Sequence, residues 1–201
     1  MKKFLLLSGL FLVTQVFADN FKMGYVDVGK IFTTTKQAIA LQNALKTKFN
    51  PQQNQLKTMN DNLVKEQSQI NAIEAKAGSP DKLSVDNKAK LTKLLSQYQK
   101  DQLAFQQKYS IFQQNMQKYQ DYASAILLGK VNTILKSISD AGNYDLVLTS
   151  NQLVYAKPKY DLTDIVIEKL KAVDSDSLVK QLQNADKLQN PAQLKQLISP
   201  K

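Results

Sequence analysis

Ala77-Gly78-Ser79-Pro80-Asp81 is the clearest breaker cluster in the chain, and it marks a turn between two long periodic segments. On its N-terminal side a seven-residue repeat begins at Leu45. One set of positions holds Phe49, Leu56, Leu63, Ile70 and Ala77, and the companion set holds Leu45, Gln52, Met59, Glu66 and Ile73. Eight of these ten are apolar, the pattern of a coiled-coil seam. On the C-terminal side the repeat resumes as Leu91, Tyr98, Phe105, Phe112, Tyr119 and Ile126, with Leu95, Gln102, Tyr109, Met116, Ala123 and Lys130 between them. An eleven-residue step from Met116 to Leu127 is a stutter, after which the stripe continues as Val131, Ile134 and Ile138. Folding the chain about residue 80 sets Lys36 opposite residue 124. The spacing therefore predicts one antiparallel helical hairpin, with legs of about 40 residues or roughly 60 Å. Pro51, which cannot donate to the helix ladder, predicts a kink or a restart capped by Asn50.

Little chain is left to build anything else. Met23 to Val28 reads as a strand, and Tyr144 to Thr149 with Leu153 to Ala156 reads as a β-hairpin around Ser150-Asn151-Gln152. Asp161 then caps a helix from Leu162 to about Val173, with Ile165, Val166 and Leu170 on one face and Asp164 completing a weak capping box. Three short strands leave unpaired sheet edges, and so small a remainder is marginal as an independent fold. Both difficulties disappear if several copies join their sheets, so the sequence predicts an oligomer. Beyond it, Asp174 to Lys201 carries Leu178, Val179, Leu182, Leu188, Leu194, Leu197 and Ile198, with Asn190-Pro191 separating two short amphipathic helices. This stretch either packs against the body or frays, or it serves as a lid or partner-binding element.

Composition narrows the chemistry. The 201 residues hold 27 cations, all of them lysine, against 17 acids, and there is no Arg, His, Cys or Trp. The usual zinc sites, thiol chemistry, disulfides, His-based acid–base catalysis and bidentate guanidinium forks are all excluded. No Gly-rich phosphate loop or Ser–Lys constellation stands out. The chain is read as a non-enzyme with no metal and no cofactor. Asn and Gln supply 37 residues, while Gly and Pro supply only 6 and 5, which favours long helices over a thick core. At the start, Lys2 and Lys3 precede the apolar run Phe4 to Val13, and Val16-Phe17-Ala18 offers a small-residue cleavage site. Residues 1–18 thus read as a secretory signal peptide, too short for the roughly 20 apolar residues a membrane span requires.

With its order strand, long hairpin, strand, strand, helix, the sequence resembles the Skp/OmpH family of periplasmic chaperones. The resemblance rests on Lys22-Met23-Gly24-Tyr25-Val26-Asp27-Val28-Gly29-Lys30-Ile31-Phe32, on Tyr144-Asp145-Leu146-Val147-Leu148, on Leu153-Val154-Tyr155, and on Asp161-Leu162-Thr163-Asp164-Ile165-Val166. It covers about residues 20 to 172. It implies an α+β fold in which a coiled-coil arm, 36–136, stands on a small β body, 20–35 with 137–172, that closes as a trimeric barrel. Residues 173–201 are then a C-terminal helical extension beyond the family's usual end. The body would use Tyr25, Val26, Val28, Ile31, Phe32, Leu146, Val147, Leu148, Val154, Tyr155, Ile165 and Val166. The implied function is an ATP-independent periplasmic holdase, with unfolded outer-membrane proteins held between the arms of a homotrimer.

Charge and aromatic content give the arm two candidate surfaces. Between 36 and 136 there are 15 Lys and 7 acids, a net +8, whereas the rest of the chain after residue 18 is neutral. Lys76, Lys82, Lys88, Lys90 and Lys93 crowd the hairpin tip, where they would attract acidic partners, lipopolysaccharide or an anionic membrane surface, or merely solvate the helices. A coiled-coil envelope protein acting through that basic tip is the alternative reading. Nucleic-acid binding fits the pI but conflicts with export and the absence of Arg. Tyr98, Phe105, Tyr109, Phe112 and Tyr119, with Met59 and Met116, lie on or beside the seam. They serve packing between the helices, and their exposed edges offer adaptable contact to unrelated clients.

Overall fold

The computed structural model describes residues 21–77 and 83–187. The expected signal peptide, Lys82 and the second half of the C-terminal extension lie outside them. The chain runs through β1 (Met23–Val26), α1 (Val28–Thr34), α2 (Lys36–Ala77), α3 (Val85–Gly142), β2 (Leu146–Thr149), α4 (Thr163–Leu170) and α5 (Ser175–Asn184), with short 3-10 turns at Ser150–Gln152, Pro158–Tyr160 and Ala185–Lys187.

The hairpin is formed by α2 and α3, of 42 and 58 residues, or about 63 and 87 Å at 1.5 Å per residue. Each has a definite start. Thr35, buried between α1 and α2, donates its hydroxyl to the Ile31 carbonyl (2.9 Å) and accepts from the Ala38 N–H (3.3 Å), so one side chain ends one helix and begins the next. Ser84 caps α3 by accepting from the Asn87 N–H, and Asn143 closes it in the left-handed conformation (φ 50°). The expected restart at Pro51 does not occur, because α2 runs through it. Pro51 deprives only the Thr47 carbonyl of its donor, and a seam extending on both sides holds the rest of the ladder.

The strands differ from expectation. β1 ends at Val26, and Val28 already belongs to α1, whose N-cap Asp27 accepts from the Lys30 N–H (2.9 Å). Ile31 and Phe32, too, are helical. β1 and β2 pair in parallel, with Met23 opposite Leu146 and Val26 opposite Thr149. The two antiparallel legs of the arm supply the crossover that a parallel pair requires. No hairpin joins 144–149 to 153–156. Ser150–Gln152 winds into a 3-10 turn in which the Thr149 N–H donates to the Gln152 side chain (3.2 Å), and Leu153–Ala156 forms no strand within the chain.

α4 locks onto this pair through the Leu162 N–H, which donates to the Tyr25 carbonyl, and the Asp27 N–H, which donates to Thr163 Oγ1, both at 2.8 Å. The helix begins one residue later than expected, with Leu162 and not Asp161 at its N-cap, and Asp161 accepts from the Thr163 N–H (2.8 Å) just before it. Asp164 forms no capping box and instead pairs with Lys30 Nζ at 2.7 Å. The inward face of α4 is Leu162, Val166 and Leu170, and it leaves Ile165 at 47% exposure, against the expected grouping. The helix ends at Leu170 because the Gln37 amide, itself buried, donates to the Leu170 and Val173 carbonyls (2.7 and 2.6 Å).

Buried side chains concentrate where α1, α4 and α5 cover the base of the hairpin. Ile31, Leu41, Phe49, Ile126, Leu127, Val131, Leu178 and Leu182 belong to one cluster there. Further out, Leu56 and Ile70 are the buried apolar residues among those described on the arm. Gly24 is required by this packing, since a Cβ there would lie 2.6 Å from Leu162 Cδ1. Leu127→Ala, at a site of 0% exposure, is expected to destabilise the chain by about 2–5 kcal/mol, against under about 0.5 kcal/mol for Leu103→Ala at 57% exposure, as read by urea unfolding.

Candidate functional site

The arm changes character along its length. At its base the rings interlock, with Phe49 edge-on to Phe112 (5.9 Å between centroids) and to Tyr119 (5.6 Å), and Tyr119 edge-on to Tyr122 (5.7 Å). Lys48 and Lys118 lie over the Tyr119 and Tyr122 rings, 4.3 and 5.5 Å from the centroids. Tyr119 is only 4% exposed, so its ring serves the packing of the arm and is closed to outside contact. Phe112 and Met116 are half-buried beside this cluster.

Halfway out, the seam opens. A groove of about 630 Å³ lies between the helices, with Leu63, Val64, Tyr98 and Phe105 along it and the amides of Asn60, Gln67, Gln102 and Gln106 at its margins. Tyr109 stacks on Phe105 (5.9 Å, 16° between planes) and is exposed on its other side. Tyr98, Phe105, Tyr109 and the half-buried Met59 therefore present apolar surface to solvent. The heptad reading missed Val64, Leu103 and Ile111, which are exposed apolar residues off the seam. An apolar side chain at an outward heptad position was the available signal.

One seam position is acidic. Glu66 faces Asp101 across the hairpin, and its Oε2 is buried without a hydrogen-bond partner. Burial, then the charge and hydrogen bond of Asp101, raise the Glu66 pKa above its ordinary value. Asp101 in turn accepts from the Gln97 amide at 2.7 Å.

At the far end Lys76, Lys88, Lys90 and Lys93 are exposed, with no ion pair to another described residue. At the near end the positions expected to build the β body divide into two groups. Val26, Ile31 and Val166 lie in the chain's own core, with Val28, Phe32 and Val147 packed against them. Leu146, Val154, Tyr155 and Ile165 are exposed, Tyr155 at 80%. Tyr25 and Leu148 line an apolar groove of about 270 Å³ with Met23, Leu153, Tyr155 and Tyr160. The Tyr25 hydroxyl is raised in pKa by desolvation and then by neighbouring Asp161, and Lys30 is raised by its hydrogen bond to Asp164.

Among the described residues no three acidic groups gather as a metal site. The surfaces are grooves, stacked rings and lysine faces, which suit binding by shape and charge. A small parallel strand pair bears one long helical hairpin. The sequence profile described as outer membrane protein (OmpH-like) matches residues 22–170, and the chain belongs to that family. It is 27% identical over 173 residues to the chaperone protein Skp of Yersinia enterocolitica, covering 85% of this chain and 100% of that one. It is 28% identical over 174 residues to the chaperone protein Skp of Escherichia coli strain K12, covering 86% and 99%. The crystal structure of a candidate OmpH-like outer membrane chaperone from Caulobacter crescentus CB15 shares the fold, with a TM-score of 0.59 at 18% identity over 77% of this chain and 86% of that one.

Because the Glu66 pKa is raised on folding, its contribution to stability is complete below about pH 4.5 and is lost as pH rises through the folded value. Glu66→Gln is therefore expected to raise the melting temperature at pH 7 and to lose that advantage at pH 4, as followed by circular dichroism.

Proposed function

We propose that the chain is an ATP-independent periplasmic holdase that keeps unfolded outer-membrane proteins in a cavity between the arms of a homotrimer. The observation that carries this reading is the open apolar seam of the arm, where Tyr98 and Phe105 stand half-buried among amides in a groove of about 630 Å³ and exposed Tyr109 stacks on Phe105. Such a surface has soft apolar contact and few fixed hydrogen-bond demands, so it tolerates many sequences. The relatives named chaperone protein Skp, aligned over nearly their whole length, support a chaperone role. The export-type leader read at residues 1–18 supports the periplasm.

The trimer is supported by what a single chain leaves uncovered. Two paired strands make too small a sheet to stand alone. Leu146, Val154 and Tyr155 remain exposed beside them, and copies joining at these positions would bury them. The lysine excess of the arm would speed the capture of acidic clients. A second reading, attachment to lipopolysaccharide or an anionic membrane through the tip, is favoured by the exposed Lys76, Lys88, Lys90 and Lys93, which form no ion pair with another described residue.

Light scattering of the mature chain is expected to give a trimer that suppresses aggregation of a urea-unfolded barrel protein without nucleotide. A monomer giving no protection would overturn the proposal. Replacing Tyr98, Phe105 and Tyr109 by Ser should weaken client affinity by about tenfold or more, the effect of losing about 1.4 kcal/mol of apolar burial. Replacing Lys76, Lys88, Lys90 and Lys93 by Gln should chiefly slow association at low salt. Loss of all activity in that lysine variant, with the aromatic variant intact, would favour the membrane-tip reading.

A further inference from the structure

The family match stops at residue 170, yet the chain continues as a third helix on one flank of the hairpin. The Gln37 amide holds the Leu170 and Val173 carbonyls, so α5 begins beside the first turn of α2. Asp174 caps it by accepting from the Asp176 and Ser177 N–H groups (both 3.1 Å), and Leu178, Leu182 and Ala185 are buried where α5 packs on α2 and α3. Starting at the foot of α2 and packed on both α2 and α3, α5 is about 15 Å long, and the turn at Ala185–Lys187 adds roughly 6 Å.

The same flank carries a vacant apolar groove further out. Gln55 lies five full turns beyond Gln37, and therefore on the same face of α2, about 27 Å up the arm. It borders a groove of about 220 Å³ lined by Phe49, Leu56, Ile111, Phe112 and Asn115, in which Ile111 is exposed. The combined length of α5 and its final turn, about 21 Å from the level of Gln37, falls about one turn short of the roughly 27 Å to Gln55. Fourteen residues remain, with Leu188, Leu194, Leu197 and Ile198 among them and no acid. Even fully helical they reach about 21 Å.

We propose that residues 188–201 dock in this groove, with Leu194 and Leu197 against Ile111 and Phe112, prolonging the flank that α5 already covers. The occupant is the chain's own tail because the groove continues an interface the tail has already entered. Docking would leave the outer groove near Tyr98 and Phe105 open.

The chain has no cysteine, so an introduced pair reports without background. The full chain carrying Ile111→Cys with Leu194→Cys should form an intramolecular disulfide, at protomer mass, about tenfold faster than Val64→Cys with Leu194→Cys. Val64 lies two and a half turns from Gln55, on the opposite face of α2. Equal rates, or a disulfide only at twice the protomer mass, would overturn the proposal, the latter pointing to a second copy in the groove. As an independent check, Leu194→Lys with Leu197→Lys in the full chain should speed amide exchange at residues 52–56 and 108–115 by about tenfold, the factor for about 1.4 kcal/mol of lost burial. Unchanged exchange there would likewise overturn it.

Discussion

Two helices packed side by side bury one stripe each and leave both flanks of their seam facing water. Every other feature of this chain answers that constraint or exploits it. At the base, α1, α4 and α5 pack against the hairpin and Leu127, Val131 and Leu178 become fully buried, while a groove of about 480 Å³ stays open between Phe32, Leu45 and Gln120. Halfway out no other described element covers the flanks, and Tyr98 and Phe105 stay half-buried along an open groove. The arm is therefore covered at its root and open along part of its length, with no change in secondary structure between the two.

The root also explains how so few residues hold the strands in place. Neither β1 nor β2 has the length to stand alone, and each is fastened from outside the sheet. The Lys22 carbonyl accepts from the Asp145 N–H, the Tyr25 carbonyl from the Leu162 N–H, and Thr163 Oγ1 from the Asp27 N–H, each at 2.8 Å. Asp27 joins two of these systems, because it also caps α1. A strand, a helix start and a second helix start thus meet at three consecutive residues, Tyr25 to Asp27.

The hairpin was legible in the sequence because its signal repeats: the seam positions from Phe49 to Ile70 and from Leu91 to Ile126 report the same period many times, and a misfit such as Pro51 or Glu66 cannot cancel it. Family membership was legible too, since the segments around Tyr25 and Asp161 that carried the resemblance fall within the matched region. The strand pairing was not. Four-residue strands give too few alternations to distinguish a local hairpin from a parallel partner more than a hundred residues away, and proximity in sequence favoured the wrong choice. Ile165 was misplaced for a related reason, because an eight-residue helix spans barely two turns and its inward face is set by what it meets, here Leu162 and Val166 against the strands. Tyr119 was read as half-available because the sequence could not show that the Phe49, Phe112 and Tyr122 rings surround it.

The parallel pairing of β1 with β2 also sets an order of events. Lys22 and Asp145 bond across 123 residues, and closing a flexible loop of that length costs about 2.4 kcal/mol more than closing one of about eight residues, some four doublings shorter. Zipping α2 against α3 from the turn inward removes most of that cost, since it carries both strands to the same end of a stiff rod. Loop-closure entropy therefore favours forming the arm before the sheet and before any surface built on the sheet's edges.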